Sequence, residues 1–162
     1  GADAAIIRSM PNTPAAVGRG ITAYVGNQAA SQAQMDLAGD RVSAVGEAVV
    51  VPEEGLLDAV TALSGSGPAY FFLVIEEMIR AGTALGLSPE DARALTLQTA
   101  LGAATMATKG DAPEVLRARV TSPNGTTHEA IVSMQENGFG DVIAKAMTAC
   151  RDRAIELGKA EQ

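Results

Sequence analysis

The 162-residue chain has no tryptophan, a single cysteine and only 3% aromatic residues, although 47% of its residues are hydrophobic. With so few large rings, its interior must be filled by alanine, leucine, valine, isoleucine and methionine, and these side chains let helices approach one another closely. The lone cysteine, Cys150, excludes an internal disulfide bond and fits a reducing compartment. We expect its sulfur to pack in a helix rather than to react.

Positive charge is also scarce. Twelve Lys and Arg residues face 19 Asp and Glu residues, which gives a formal net charge of -7, and the basic residues form no cluster. This balance argues against nucleic acid and acidic membrane surfaces as partners. His128 is the only histidine, and no group of Cys, His, Asp and Glu has metal-ligand spacing, so no metal site is predicted.

No complete pyrophosphate-binding fingerprint occurs. Gly65-Ser66-Gly67 is followed by Pro68 and lacks the third glycine of that motif. The uncharged run at 59–75 resembles a membrane span in composition, but the segment at 64–68 is expected to interrupt it. We therefore predict no span, and no signal peptide is visible.

The first fifty residues carry strand and turn patterns. Ser31 and Gln34 stand at the spacing of a capping box, which predicts the start of a helix there. Pro52 is expected to end the last strand of this region. The predicted elements are a loop at 8–14, a strand at 21–26, a helix at 31–45 and a strand at 47–51.

Beyond Pro52 helical periodicity replaces the strand pattern. Ser88 and Pro89, followed by two acidic residues, are typical of a helix start, and Gly158 is predicted to stop the last helix. A small flexible break is expected at 64–67. The predicted helices are 53–63, one from Pro68 onward, 88–108, 113–119, 127–136 and 140–157.

Two of these helices are unusually apolar. The segment 70–75 is hydrophobic on every side, and the helix 88–108 carries a smooth face that includes Leu95, Leu97 and Leu101. Such helices must be covered, which favours contact with another subunit. A self-contained bundle of small residues is the alternative, and composition leaves both open.

The segment from Val120 to Ile131 combines a turn-rich loop with the start of a helix. Asn124 and Gly125 tolerate left-handed geometry, and Thr126 or Thr127 is predicted to cap the helix. Free N–H groups at such an end favour a carboxylate or phosphate. An ordinary helix cap without a ligand is the alternative, and spacing alone favours it.

The same segment carries a signature that resembles the pyrroline-5-carboxylate reductases. The matching positions are Pro113, Leu116, Val120, Thr121, Ser122, Asn124, Gly125, Thr127, Ala130, Ile131, Met134 and Gln135. The resemblance extends to Arg8–Pro14 and Asp58–Tyr70, and so over nearly the whole chain. It implies a reductase of proline biosynthesis that uses NADPH or NADH and assembles as a homodimer or a ring of dimers.

The resemblance also implies a fold. We expect a mainly α protein, in which a helical-bundle dimerisation and substrate-binding domain at 52–162 follows a short α/β remnant of a Rossmann nucleotide-binding domain at 1–51. The family's glycine-rich turn is missing and the chain starts without methionine. We therefore expect the C-terminal part of a longer reductase, inactive alone, with the cofactor bound mainly by the missing domain. The preference between the two cofactors is not predicted.

Site residues follow from the resemblance position by position. Ser122, Asn124, Gly125, Thr126 and Thr127 are expected to bind the substrate, 1-pyrroline-5-carboxylate, and the product, L-proline. The Thr127 hydroxyl is assigned the catalytic contact with the ring nitrogen. Asn124 stands where the family often has glycine, and its tolerance of positive φ should preserve the loop.

The cofactor is expected to approach two segments that the resemblance singles out. These candidate cofactor neighbours are Met10, Pro11, Asn12, Ser66, Gly67 and Pro68. His128 is expected to face solvent rather than to donate a proton. There are two competing interpretations: a different imine or keto-acid dehydrogenase, and a helical association module that binds no ligand. We expect a cytoplasmic protein.

Overall fold

A computed structural model describes residues 4–160 of the chain. The chain forms two compact units, one made of residues 4–70 and 144–160 and the other of residues 71–143. In chain order the elements are β1 (Ile7–Met10), a 3-10 turn (Thr13–Val17), β2 (Gly20–Gly26), α1 (Gln32–Ser43), β3 (Gly46–Val50), α2 (Leu56–Val60), a π-helical turn (Thr61–Gly65), α3 (Gly67–Ala84), α4 (Pro89–Ala107), α5 (Pro113–Arg119), α6 (Thr126–Glu136) and α7 (Phe139–Ala160). The mainly α character with a short α/β start is confirmed.

The first unit contains a three-stranded sheet with β2 at its centre. β2 pairs antiparallel with β1, so that Met10 lies opposite Ala23, and parallel with β3, so that Ala23 lies opposite Val49. Ala23 and Val25 on β2 pack with Leu57 of α2 in the buried core. The parallel pair is joined through α1, which is the strand, helix, strand order predicted from the sequence.

The capping box of α1 forms as predicted. The Gln34 side chain accepts from the Ser31 N–H at 2.9 Å, and the Ser31 hydroxyl oxygen accepts from the Gln34 N–H at 3.4 Å. The predicted loop at 8–14 is partly wrong, because residues 7–10 form β1 and residues 13–17 form the 3-10 turn. Pairing with β2 supplies hydrogen bonds that local propensity could not indicate.

The predicted break at 64–67 is also wrong. α2, the π turn and α3 follow one another with only a bend at Ser66 before α3, and Gly67 is buried. The Ser66 N–H donates to the Thr61 carbonyl at 2.8 Å, five residues back, instead of to Ala62. Glycine and serine therefore widen the helix here rather than end it.

The second unit contains α4, α5, α6, most of α3 and the start of α7. Ser88 caps α4, since its hydroxyl oxygen accepts from the Asp91 N–H at 3.1 Å. Gly82 faces Ala92, and a Cβ added at Gly82 would lie 3.4 Å from the Ala92 Cβ. Small residues thus permit the close helix approach that the composition predicts.

The last helix is longer than predicted. α7 continues through Gly158 to Ala160, so the predicted stop at Gly158 is wrong. Gly158 does not adopt the positive φ of a helix-ending glycine, whereas Gly138, between α6 and α7, does with φ 75°. A glycine ends a helix only where the backbone turns left-handed.

The helices leave many apolar side chains uncovered. Phe71 and Phe72 of α3 are 70% and 63% exposed, and Leu101 of α4 is 62% exposed. Within the described residues, the stretch Leu56–Ala84 is long and apolar enough to cross a membrane by length and composition alone. The interruption that argued against a span is absent, and the exclusion of a membrane remains a prediction.

Candidate functional site

The loop between α5 and α6 is built from two successive turns. The Thr121 hydroxyl donates to the Arg117 carbonyl at 2.6 Å, which ties the loop to the end of α5. The Gly125 N–H then donates to the Ser122 carbonyl at 3.0 Å, closing a turn in which Asn124 has φ 59°. Asn124 thus adopts the left-handed geometry predicted for it.

Gly125 occupies a crowded position at the end of this turn. A Cβ added there would lie 3.0 Å from the Ser122 carbonyl oxygen, a contact that the turn could relieve only by moving. Gly125 is also the N-cap of α6 in an extended conformation. The sequence predicted a threonine cap, which is wrong, because Thr126 and Thr127 already lie inside the helix.

The N-terminus of α6 carries amides that point out of the helix. The first intrahelical bond runs from the Glu129 N–H to the Gly125 carbonyl at 3.2 Å. The N–H groups of Thr126, Thr127 and His128 precede it, and no side chain of residues 4–160 caps this end. Ser122 and Thr127 are exposed beside these donors, which is the arrangement that favours a small anion.

Charged residues near this loop are engaged elsewhere or exposed. Asp111 pairs with Arg119 at 2.5 Å, so it is an ion-pair partner on the surface. Glu129 is exposed in the first turn of α6, and His128 is half-buried rather than facing solvent fully. Among the described residues, no group of three or more His, Cys, Asp or Glu could hold a metal ion.

The candidate cofactor neighbours lie together in the first unit. The Asn12 side chain donates to the Ser64 carbonyl at 3.1 Å and accepts from the Ile21 N–H at 3.0 Å. A Cβ built on Gly65 would lie 3.4 Å from the Met10 sulfur, so the end of β1 touches the π turn. The segment 10–12 is therefore adjacent to the turn that leads into Ser66, Gly67 and Pro68.

Two residues missed in the sequence surround Ser66. The Cys150 thiol donates to the Ser66 hydroxyl oxygen at 3.2 Å, and the Tyr70 hydroxyl donates to the Ala62 carbonyl at 3.0 Å. Burial is the main cause that raises the pKa of Tyr70 above its ordinary value of 10.0; the neighbouring Cys150 raises this pKa further, and Ser66 lowers it. Tyr70, Cys150 and Ser66 thus form one polar cluster. The spacing of positions 66, 70 and 150 in the sequence does not predict this cluster.

The model of the pyrroline-5-carboxylate reductase dimerisation family matches residues 54–157, nearly two thirds of the chain. The chain belongs to this family. The match covers the π turn and the loop between α5 and α6, residues 120–125, which we call the anion loop. It also covers every helix from α3 to α6 and most of α7.

Relatives and solved structures agree with the pyrroline-5-carboxylate reductase assignment. The enzyme of that name from Pseudomonas aeruginosa is 52% identical over 155 residues, which cover 95% of this chain and 57% of the relative. The Coxiella burnetii reductase structure has a TM-score of 0.93 and 42% identity, covering 97% of this chain and 58% of that one. The Plasmodium falciparum reductase structure with NADP bound has a TM-score of 0.89 and 34% identity, over 98% and 60% of the two chains.

These coverages also show how much of its relatives' length the chain spans. It spans about 57% of the length of the Pseudomonas aeruginosa relative. The resemblance predicted from the signature is therefore confirmed at the level of the family. The roles of individual site residues, and the boundary between 1–51 and 52–162, stay predictions.

Proposed function

We propose that the protein to which this chain belongs reduces 1-pyrroline-5-carboxylate to L-proline with NADPH or NADH. The observation that carries this proposal is the uncapped start of α6 beside the Thr127 hydroxyl, in a chain of this family. Most contacts to the dinucleotide would come from residues other than the 162 of this chain. The chain by itself is expected to be inactive.

The substrate carboxylate would bind at the start of α6. The N–H groups of Thr126 and Thr127 are available there, whereas the Gly125 N–H is used by the turn that includes Asn124. The Ser122 hydroxyl would add a further donor from the exposed side of the loop. The positive end of the helix dipole stabilises an anion at this position by about 0.3–1 kcal/mol.

The Thr127 hydroxyl would orient the ring. It stands one residue into the helix, next to the amides that hold the carboxylate, and would donate a hydrogen bond to the ring nitrogen. An alcohol is too weak an acid to protonate an imine. The proton therefore comes from water, or the substrate binds as the iminium, whose nitrogen is already protonated. When bound, the reduced nicotinamide supplies a hydride to the C=N carbon, and correct placement of the ring accounts for most of the rate.

The residues around the π turn suit one end of a nicotinamide cofactor. Met10 provides an apolar thioether, Ser66 a hydroxyl, and the Asn12 amide retains one N–H that the Ser64 contact does not use. An aromatic ring with a carboxamide needs this combination of apolar surface and polar donors. Pro11, Gly67 and Pro68 would border the same ligand with their backbone or ring atoms.

The exposed apolar helices would be covered by a second copy of the chain. α3 and α4 in the second unit expose phenylalanine and leucine side chains, and the matched family model is named for dimerisation. We assign this surface to a homodimer, or to a ring of dimers. No nucleic acid and no membrane enter this proposal, and a cytoplasmic location accompanies it.

The proposal is tested with the longest reading frame that contains these residues. We expect oxidation of NADPH or NADH with 1-pyrroline-5-carboxylate, and formation of proline in equal amount. Turnover of a keto acid without turnover of the cyclic imine would overturn the substrate assignment and favour another dehydrogenase. Light scattering should give at least a dimer, and a monomer at micromolar concentration would contradict the proposed assembly.

A further inference from the structure

The π turn and the proline that follows it free one carbonyl group each, and both carbonyls are capped by side chains. The shift of the Ser66 N–H to Thr61 leaves the Ala62 carbonyl without its helical partner, and the Tyr70 hydroxyl donates to it at 3.0 Å. Pro68 has no N–H to give to Ser64 four residues back, and Asn12 donates to that carbonyl at 3.1 Å. A buried orphan carbonyl is costly, so these caps select the widened turn over a regular helix.

The residue that leaves this turn is fixed as well. The Ser66 hydroxyl accepts the Cys150 thiol at 3.2 Å, while its N–H is held by Thr61 and its carbonyl accepts from the Ala69 N–H at 3.0 Å. Both Ser66 and Cys150 influence the pKa of Tyr70, so the three side chains are neighbours. Tyr70 therefore supports the backbone of the turn, and Cys150 holds the side chain at its exit. π turns occur frequently at functional sites, and the extra residue shifts the following side chains relative to a regular helix.

We infer that Tyr70 and Cys150 are positioning residues that set Ser66 against the nicotinamide cofactor. Tyr70 acts through its hydrogen bond to the Ala62 carbonyl, and Cys150 through its hydrogen bond to the Ser66 hydroxyl. This inference rests on the proposed function, because it requires Ser66 to border that cofactor. It assigns a task to two residues, Tyr70 and Cys150, that do not themselves touch the ligand.

The chain offers a matched control. Tyr24 is the only other tyrosine, and it is buried on β2, where its hydroxyl lies against Gly39 and bonds to no other described residue. Tyr70→Phe and Tyr24→Phe each remove one oxygen and keep the ring. A difference between them reports the hydrogen bond of Tyr70 rather than the loss of a hydroxyl in general.

The test measures cofactor binding directly, by the change in NADPH fluorescence when NADPH is titrated into the protein encoded by the longest reading frame that contains this chain. Because a hydrogen bond contributes about 1 kcal/mol net, we expect Tyr70→Phe to weaken NADPH binding about fivefold. The KM for NADPH should rise with it while kcat changes less than twofold, and Tyr24→Phe should match the wild type. Cys150→Ala should weaken binding in the same direction, and Cys150→Ser, which keeps a donor, should restore it.

A double-mutant cycle with Ser66→Ala decides between positioning and a general loss of structure. If Tyr70 acts through Ser66, Tyr70→Phe should have less than a twofold effect on NADPH affinity once Ser66 is alanine. An equal effect in both backgrounds, or a Tyr70→Phe protein that binds like Tyr24→Phe, would overturn the inference and leave the proposed function intact. A wild-type protein that binds NADPH but reduces only keto acids would overturn the substrate alone, and one that binds no nicotinamide would overturn both.

Discussion

The anion loop and the π turn treat their unpaired backbone groups in opposite ways. At the start of α6, the N–H groups of Thr126 and Thr127 are left open to solvent without a side-chain cap. At the π turn, the two freed carbonyls are closed by Asn12 and Tyr70. Open donors at an exposed helix end are available to a ligand, whereas capped acceptors inside a helix hold a shape. The contrast separates residues that would bind from residues that would position.

The largest expected effect is on the open side of this contrast. Thr127→Ala removes the donor proposed for the ring nitrogen, and loss of one positioned donor typically lowers kcat by about 100-fold. Steady-state kinetics on the longest reading frame that contains the chain would measure it. Thr127→Ser should retain most of the rate, because the hydroxyl stays. An unchanged rate in the alanine variant would remove the catalytic role assigned to Thr127.

The next largest effect is on the closed side. Asn12→Ala leaves the Ser64 carbonyl and the Ile21 N–H without their partner, and each orphaned group costs about 1 kcal/mol or more. We expect the free energy of unfolding of the purified protein to fall by about 2 kcal/mol in urea titration. Asn27→Ala is a control, since its exposed bonds to residues 4 and 6 should matter less. Equal losses would show that burial of the caps is unimportant.

Tyr70→Phe tests the second cap and should cost about 1 kcal/mol of stability at neutral pH, because the Ala62 carbonyl loses its donor. The pKa of Tyr70 is raised in the folded state above 10.0, so its contribution is complete below pH 10.0 and declines as pH rises above that value. The difference in unfolding free energy between wild type and Tyr70→Phe should therefore be smaller at pH 10.5 than at pH 8. A gap that widens with pH would contradict the assigned cause.

The smallest effect is expected at the loop itself. Asn124 has φ 59°, and Asn124→Ala should lower stability by about 1 kcal/mol, because a Cβ-bearing side chain without a local hydrogen-bonding group is strained there. Asn124→Gly should match or exceed the wild type. Thermal unfolding of the three proteins would compare them. A more stable alanine variant would show that the left-handed geometry is not required.

Local patterns predicted most of this fold. The caps at Ser31 and Ser88, the helix after Pro113 and the left-handed Asn124 all depend on residues within four positions of one another. The anion loop was therefore predictable, apart from its cap. Gly125 takes that place, where a Cβ would lie 3.0 Å from the Ser122 carbonyl oxygen, so glycine fits this position better than threonine.

The π turn and its surroundings were not predictable in the same way. The Gly-Ser-Gly-Pro sequence at 65–68 favours a break in isolation. The caps that stabilise the turn come from Asn12, 52 positions from Ser64, and from Tyr70. β1 and the contact from Cys150, 84 positions from Ser66, have the same origin. Apart from the Tyr70 contact with Ala62, each depends on long-range pairing, which a single sequence does not display.

The exposed phenylalanines of α3 have a consequence for how the stability of this protein depends on its concentration. If a second copy buries them, association and folding share one free energy, and the melting temperature rises with the amount of protein in the tube. At low abundance, newly made chains would be bound by chaperones or degraded by proteases most readily, before they associate with one another. Dilution alone would then act as a denaturant.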